Sequence, residues 1–185
     1  MELNILKLLQ LEHNCRNSEN IKELYFQIVN QTRSLVDYSQ GVLLTNDFTG
    51  KYKVVAISDV SVVDTTSPFV QWIESIVEDL NKNEKSKDIF FVDNRNDLSK
   101  INFESINEYS PPNLLYVPLK NIKEDIETNY IFLVFKENFW EDKELEIFKH
   151  LSSSLSYFLF AMRKTGLINS LKKISFKNKY FKIAL

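Results

Sequence analysis

The sequence predicts an α+β fold, in which helices flank one antiparallel β-sheet of about five to six strands. Segments with helical periodicity open and close the chain. Between them lie two pairs of short apolar segments, each joined by a polar stretch, as is typical of β-hairpins. Because hairpins force antiparallel pairing, one sheet layered with helices follows.

Two helices are predicted at the N-terminus. The first runs from Met1 to about Arg16. Four apolar residues are expected on its packed side: Met1, Ile5, Leu8 and Leu9. The second helix follows Ser18, which we assign as its N-cap, and ends near Val36, so that the two helical segments fill residues 1–36.

A hairpin and a third helix come next. Segments 40–45 and 52–58 are the predicted strands, and Gly50 in the turn between them can take a positive φ. Ser67 and Pro68 then begin a helix, where proline is tolerated because the first N–H has no partner. Its apolar stripe contains six residues: Phe69, Trp72, Ile73, Ile76, Val77 and Leu80.

The middle of the chain is less regular. A third strand is predicted at 89–92, followed by a long polar segment over 93–112. A short helix is expected within that segment, at 102–109.

A second hairpin and a long helix complete the predicted domain. The strands are 114–119 and 130–135, joined by an acidic linker at 123–128. The helix covers 141–164, with acids in its first turn and cations at its end, both favourable for the helix dipole. Gly166 is expected to end it.

Charge divides the chain into a globular body, residues 1–162, and a basic tail, residues 163–185. The tail holds seven cations and no acid: Arg163, Lys164, Lys172, Lys173, Lys177, Lys179 and Lys182. Because the whole chain carries −2, the body carries −9. Cations before an apolar end are typical of the cytoplasmic side of a membrane helix, so we expect a juxtamembrane tail at an anionic surface. A solvated tail or a nucleic-acid patch is the alternative.

Composition argues against several kinds of chemistry. One cysteine, Cys15, excludes an intrachain disulfide framework, and three glycines cannot build a phosphate-binding loop. The two histidines, His13 and His150, lie on separate helices, so we expect no metal site. We therefore predict no catalytic residue, no cofactor and no enzyme activity. A pI near 5.8 also makes nucleic acid an unexpected partner.

The N-terminus does not resemble a secretory signal, and no run reaches the 18 apolar residues of a membrane span. The chain as given is therefore expected to be soluble and intracellular.

Two stretches resemble one known family. Residues 28–44 are similar to the entry helix and first strand of GAF-like regions that precede HlyD-type membrane fusion (periplasmic adaptor) proteins. The residues that fit are Asn30, Thr32, Arg33, Tyr38 and Gln40, whereas Gln31 and Ser39 depart. Residues 55–73 resemble the family's second strand and following helix. There the fitting residues are Asp64, Pro68, Phe69, Val70 and Trp72, and Asp59 stands where glycine is commoner.

The resemblance implies a GAF-like domain on the cytoplasmic side of the inner membrane, followed by a membrane helix and a periplasmic part. Its implied role is a non-enzymatic sensory or regulatory one, by binding an unidentified small ligand, by homodimerising through the terminal helices, or both. One alternative is a ligand-free docking or dimerisation module for transporter components. A second is the GAF sensor of a signalling or transcription protein.

GAF geometry implies that any pocket lies between the sheet and the irregular segments. The residues expected near it are Asp64, Phe69, Trp72, Asp93, Arg95 and Tyr109. Plain core packing is the alternative role for Phe69 and Trp72, and turn formation is the alternative for the acids.

Overall fold

The computed structural model of the chain describes residues 2–47, 49–82, 84–120 and 130–181. In chain order its elements are α1 (Glu2–Arg16), α2 (Ile21–Gln31), β1 (Gln40–Asn46), β2 (Tyr52–Ile57), α3 (Pro68–Leu80), β3 (Phe90–Phe91), α4 (Asn94–Asp97), α5 (Lys100–Tyr109), β4 (Asn113–Leu119), β5 (Tyr130–Lys136) and α6 (Asp142–Phe181). Two short 3₁₀ turns, Thr32–Ser34 and Glu84–Lys87, follow α2 and α3.

Over the described residues, the five strands form one antiparallel sheet in the order β2-β1-β5-β4-β3, which confirms the predicted fold class. Both predicted strand pairs, β1–β2 and β4–β5, are neighbours in this sheet. The linker predicted at 123–128 lies outside the described residues. Strand β5 is central, and all seven of its residues are buried.

The two faces of the sheet bury different helices. Phe132 and Val134 of β5 belong to a core shared with α1, α2 and α6. Leu133 and Phe135, which alternate with them along the strand, belong to a second core shared with α3 and α5. The sheet therefore separates the terminal helices from the α3–α5 layer, where the ligand pocket was predicted.

The predicted start of α3 is confirmed, whereas the predicted N-cap of α2 was wrong. The Ser67 hydroxyl accepts a hydrogen bond from the Val70 N–H at 3.2 Å, with Pro68 at the first helical position. For α2, it is the Asn20 side chain that accepts from the N–H groups of the first turn. Ser18 instead donates to the Asn14 carbonyl at the end of α1, because the chain needs four further residues to turn from α1 into α2.

The packed side of α1 also differs from the prediction. Leu11 and Cys15 are buried and Leu8 is half-buried, whereas Ile5 and Leu9 are 53% and 56% exposed. Residues 8, 11 and 15 follow helical spacing, so the helix is rotated toward this set. Met1 lies outside the described residues. Ile5 and Leu9 therefore face outward from the core.

Helix α6 does not end near Lys164, and Gly166 does not stop it, because the helix continues to Phe181. A glycine inside a helix costs only about 1 kcal/mol relative to alanine, so it ends a helix only where the chain also turns. The segment predicted as a separate tail from residue 163 is thus helical as far as Phe181. Lys182 lies outside the described residues, as do the side chains of 167–181.

Several residues of the 28–44 stretch form a cluster of polar contacts that links the end of α2 to the sheet. Arg33 forms an ion pair with Asp59 at 2.8 Å and donates to the Ser39 carbonyl at 2.9 Å. Its guanidinium lies 5.3 Å from the centre of the Tyr38 ring. Asp59, at φ 62°, is in the left-handed region and donates its N–H to the Asn30 side chain. Glycine is favoured at such a φ because it has no Cβ. The ion pair with Arg33 compensates for the conformational cost of having an aspartate at this position.

A second, more buried ion pair holds the start of α6 against β5. The Lys136 ammonium lies 2.6 Å from the Glu144 carboxylate, and the two side chains are only 11% and 12% exposed. The same ammonium lies 4.6 Å from the centre of the Trp140 ring, whose N–H donates to the Asn113 carbonyl on β4. Glu144 also accepts from the Glu141 N–H, so one carboxylate both neutralises Lys136 and caps the helix.

Candidate functional site

Aromatic rings fill the space between α3, α5 and the sheet. Trp72 of α3 is 6% exposed, and its ring centre lies 5.3 Å from that of Tyr109, the last residue of α5. Phe69, one turn earlier on α3, lies 6.0 Å from Trp72, and Phe135 of β5 lies 6.3 Å from it. We call these four residues the Trp72 cluster. Phe69 and Tyr109 are half-buried, so the cluster reaches solvent at one edge.

A hydrogen-bond network between α3 and α5 holds the Trp72 cluster in place. The indole N–H of Trp72 donates to the Asn102 carbonyl at 3.4 Å, and the Asn102 amide donates to Asp79 at 2.6 Å and to Ser75 at 3.1 Å. Burial disfavours the charged form of Asp79, but hydrogen bonds from Ser99 and Asn102 outweigh it and keep the pKa of Asp79 low. The network therefore fixes α5 against α3.

The structure brings Phe69, Trp72 and Tyr109 together but gives the three charged candidates local roles. Asp64 is exposed and accepts from the Thr66 N–H and hydroxyl, which lower its pKa. Asp93 caps the short helix α4, and the pKa of Asp93 is lowered chiefly by the Asn96 side chain. Arg95 is exposed on α4. Ligand binding by the six predicted residues stays a prediction.

Cys15 is a buried thiol. Its side chain is 1% exposed, and burial, followed by the charge of Glu12, raises the pKa of the thiol to about 12. The thiol therefore stays protonated near neutral pH. Within the described ranges, no group of three or more His, Cys, Asp or Glu side chains could hold a metal ion.

Helices α1 and α6 lie side by side and run in the same direction. The Ser154 hydroxyl donates to Glu12 at 2.7 Å, and beyond this point Cys15 and Arg16 lie beside Tyr157 and Phe158. Both helices pack on the same core. We call the outward sides of these two helices, on which Leu6, Leu9 and Tyr157 are exposed, the terminal-helix face.

The terminal-helix face exposes large apolar side chains. Leu6 and Leu9 of α1 are 65% and 56% exposed, and Tyr157 of α6 is 65% exposed. An open groove of about 720 Å³ lies where the end of α1 meets α6. It is lined by Cys15, Arg16, Ser18, Glu19, Tyr157, Phe158, Ala161, Met162 and Thr165. Exposed large apolar side chains beside an open groove are a feature of interaction surfaces.

The chain has the fold of a GAF domain. It superposes on the GAF domain of an Acinetobacter phosphoenolpyruvate-protein phosphotransferase with a TM-score of 0.60, at 13% identity, over 88% of this chain and 96% of that one. The corresponding domain from Coxiella burnetii gives 0.58 at 11% identity, over 90% and 98%. The GAF domain of the cyanobacteriochrome TePixJ gives 0.57 at 15% identity, over 80% and 94%. No family model and no curated protein matches the sequence.

These likenesses concern the GAF fold alone, because the sequence identities are low. They support a GAF-like fold, and they give no link to HlyD-type membrane fusion proteins. In the GAF fold of this chain, the predicted pocket region is occupied by the Trp72 cluster.

The basic residues are only partly described. Arg163 and Lys164 are exposed near the end of the described α6 side chains. The backbone positions of Lys172, Lys173, Lys177 and Lys179 continue along the same helix. Among the helices of the described residues, none has the length and apolar character needed to span a membrane.

The exposed apolar residues that the sequence analysis did not single out are Leu6 and Tyr157, and Leu9 was assigned to the wrong side of its helix. For the two leucines, the signal is the spacing of Leu8, Leu11 and Cys15, which defines a packed side of α1 and leaves Leu6 and Leu9 off it.

Proposed function

We propose that this GAF-fold chain is a non-enzymatic regulatory module that acts by pairing its terminal helices with those of a second copy. The observation that supports this most is the terminal-helix face, where Leu6, Leu9 and Tyr157 are each more than half exposed. Burying such side chains against a like surface is favourable by roughly 25 cal/mol per Å² of apolar area. A pair of identical faces closes with two-fold symmetry.

The packing of the Trp72 cluster favours a module that works without a bound ligand. Trp72 is 6% exposed and has ring neighbours on α3, α5 and β5. Small-molecule sensing is the second candidate, and its support is the half-buried edge formed by Phe69 and Tyr109. A ligand at that edge would have to displace aromatic rings of the cluster. A large loss of unfolding free energy on removal of Trp72 therefore favours the ligand-free module, and a small loss favours small-molecule sensing.

Pairing is tested by charged substitutions on the terminal-helix face. Leu9→Glu is expected to raise the dimer dissociation constant about tenfold or more, because the substitution places a carboxylate in the interface twice per dimer. Phe139→Glu is the matched control: Phe139 is 85% exposed but precedes α6, so its dissociation constant should not change. Sedimentation equilibrium measures both. Equal constants for the two variants would contradict pairing through this face.

We further propose that the module works beside an anionic membrane surface on the cytoplasmic side of the inner membrane, in a protein of the HlyD type with transporter components as partners. The support is the charge of the C-terminal segment, whose seven cations are accompanied by no acid. DNA binding that weakens with added salt would instead favour a signalling or transcription protein.

Membrane association is tested by flotation with vesicles. The chain is expected to float with phosphatidylglycerol vesicles and not with phosphatidylcholine vesicles. Lys172→Gln with Lys173→Gln should weaken the association about 5- to 30-fold, at up to about 1 kcal/mol per cation. Equal flotation with both lipids would contradict an electrostatic contact.

A further inference from the structure

We propose that the second copy docks antiparallel, so that the acidic start of α6 in one copy faces the basic residues near Lys164 in the other. This inference rests on the pairing proposed above and adds its orientation and its contacts.

One outward stripe of α6 carries the information about orientation. The exposed residues Glu146, His150, Ser153, Tyr157 and Lys164 lie on this stripe. They follow one another at three-, four- and seven-residue steps, the spacing of a single helix face. Glu146 and Lys164 are 18 residues apart, which is about five turns and about 27 Å along the axis. The stripe therefore has an acid at one end, a cation at the other and an exposed tyrosine between them.

This arrangement of charges distinguishes the two possible orientations. In a parallel pair, Glu146 would face Glu146 of the second copy and Lys164 would face Lys164, so both ends would repel. In an antiparallel pair whose two-fold axis crosses the exposed side of α6 at the level of Leu155, each Glu146 faces a Lys164. Glu146 already lies 2.6 Å from Lys149, with both side chains more than half exposed. A cation from the other copy would extend this pair into a network.

The same axis also places apolar side chains opposite the groove. Since Glu12 lies beside Ser154, an axis near Leu155 crosses α1 near His13. Rotation about that axis exchanges the Leu6–Leu9 end of α1 with the other end, where Arg16 and, just after the helix, Glu19 line the groove. Exposed leucines of one copy thus meet the open groove of the other. The axis selected by the charges is therefore also one that covers the exposed leucines of α1.

Charge reversal tests the orientation. Glu146→Lys alone and Lys164→Glu alone should each raise the dimer dissociation constant about tenfold, because each replaces two attractive exposed pairs by repulsive ones. Together the two substitutions should restore the wild-type constant. In a parallel pair, neither substitution changes the number of like-charge contacts, so unchanged constants would overturn the proposal. Glu104→Lys is the control and should have no effect, because Glu104 lies on α5 with its side chain 61% exposed.

Disulfide trapping provides a second readout in a Cys15→Ser background, which removes the native thiol. A mixture of Glu146→Cys and Lys164→Cys chains should form a mixed disulfide dimer, whereas Glu146→Cys alone should not crosslink. Crosslinking of Glu146→Cys with itself would overturn the antiparallel arrangement and leave pairing intact. A monomeric wild-type chain would overturn the proposed pairing as well.

Discussion

Replacing Trp72 with alanine is expected to lower the free energy of unfolding by about 3–5 kcal/mol, among the largest effects of any single substitution in this chain. The indole is 6% exposed and contacts Phe69, Tyr109 and Phe135, so its removal leaves a cavity between α3, α5 and the sheet. It also removes the donor to the Asn102 carbonyl. Urea denaturation followed by circular dichroism measures the change.

The cavity itself can be tested with a ligand of the missing shape. Added indole should raise the urea midpoint of unfolding of the Trp72→Ala variant and leave that of the wild type unchanged. Dry apolar cavities bind aromatic molecules of matching shape. Val62→Ala is the control, because Val62 is 81% exposed and its loss should cost less than about 0.5 kcal/mol. A loss below about 1 kcal/mol at Trp72 would show that the ring is not packed and would favour the ligand-sensing candidate.

Replacing Lys136 with methionine is expected to cost about 3–5 kcal/mol, because it leaves the Glu144 carboxylate buried without its cation. Both side chains are nearly nine-tenths buried, and the ammonium also lies over the Trp140 ring. The lost pair anchors the start of α6, so the variant should also loosen the terminal-helix face. Chemical denaturation measures the stability of the variant.

A second substitution separates a buried pair from a surface pair. Adding Glu144→Met to Lys136→Met should recover most of the loss, because two apolar side chains of similar volume can replace a buried ion pair. Lys100→Met is the control, since Lys100 and Glu104 are 86% and 61% exposed at 3.8 Å and contribute at most about 1 kcal/mol. If Lys136→Met costs no more than Lys100→Met, the anchoring role of this pair is wrong.

The layered fold follows from the sequence because its signals are local. Alternation and apolar runs define β4 and β5, and the Ser67–Pro68 start of α3 depends on groups within one turn. Features that depend on tertiary packing were harder to predict from the sequence. Nothing local shows whether Ser18 or Asn20 caps α2, or that α6 continues past Gly166, because both depend on where neighbouring elements turn.

The candidate site likewise contains some residues that local spacing could place and others that it could not. The helical spacing of Phe69 and Trp72 places them on one face of α3, and Tyr109 reaches them because α5 packs on α3. Asp64, Asp93 and Arg95 precede or follow turns, and a turn alone does not tell whether an acid faces a cleft or caps its own loop. The exposure of Leu9 depends on the rotation of α1 over its core, which requires knowing that Leu11 and Cys15 are the buried pair.

The most direct test of the central claim is hydrogen–deuterium exchange of the chain at concentrations below and above the dimer dissociation constant. Pairing through the terminal-helix face predicts that amide protection rises with concentration over 5–16 and 146–164 and stays constant over 68–80 and 100–109. Protection that is independent of concentration in the terminal helices, or a rise confined to α3 and α5, would contradict it.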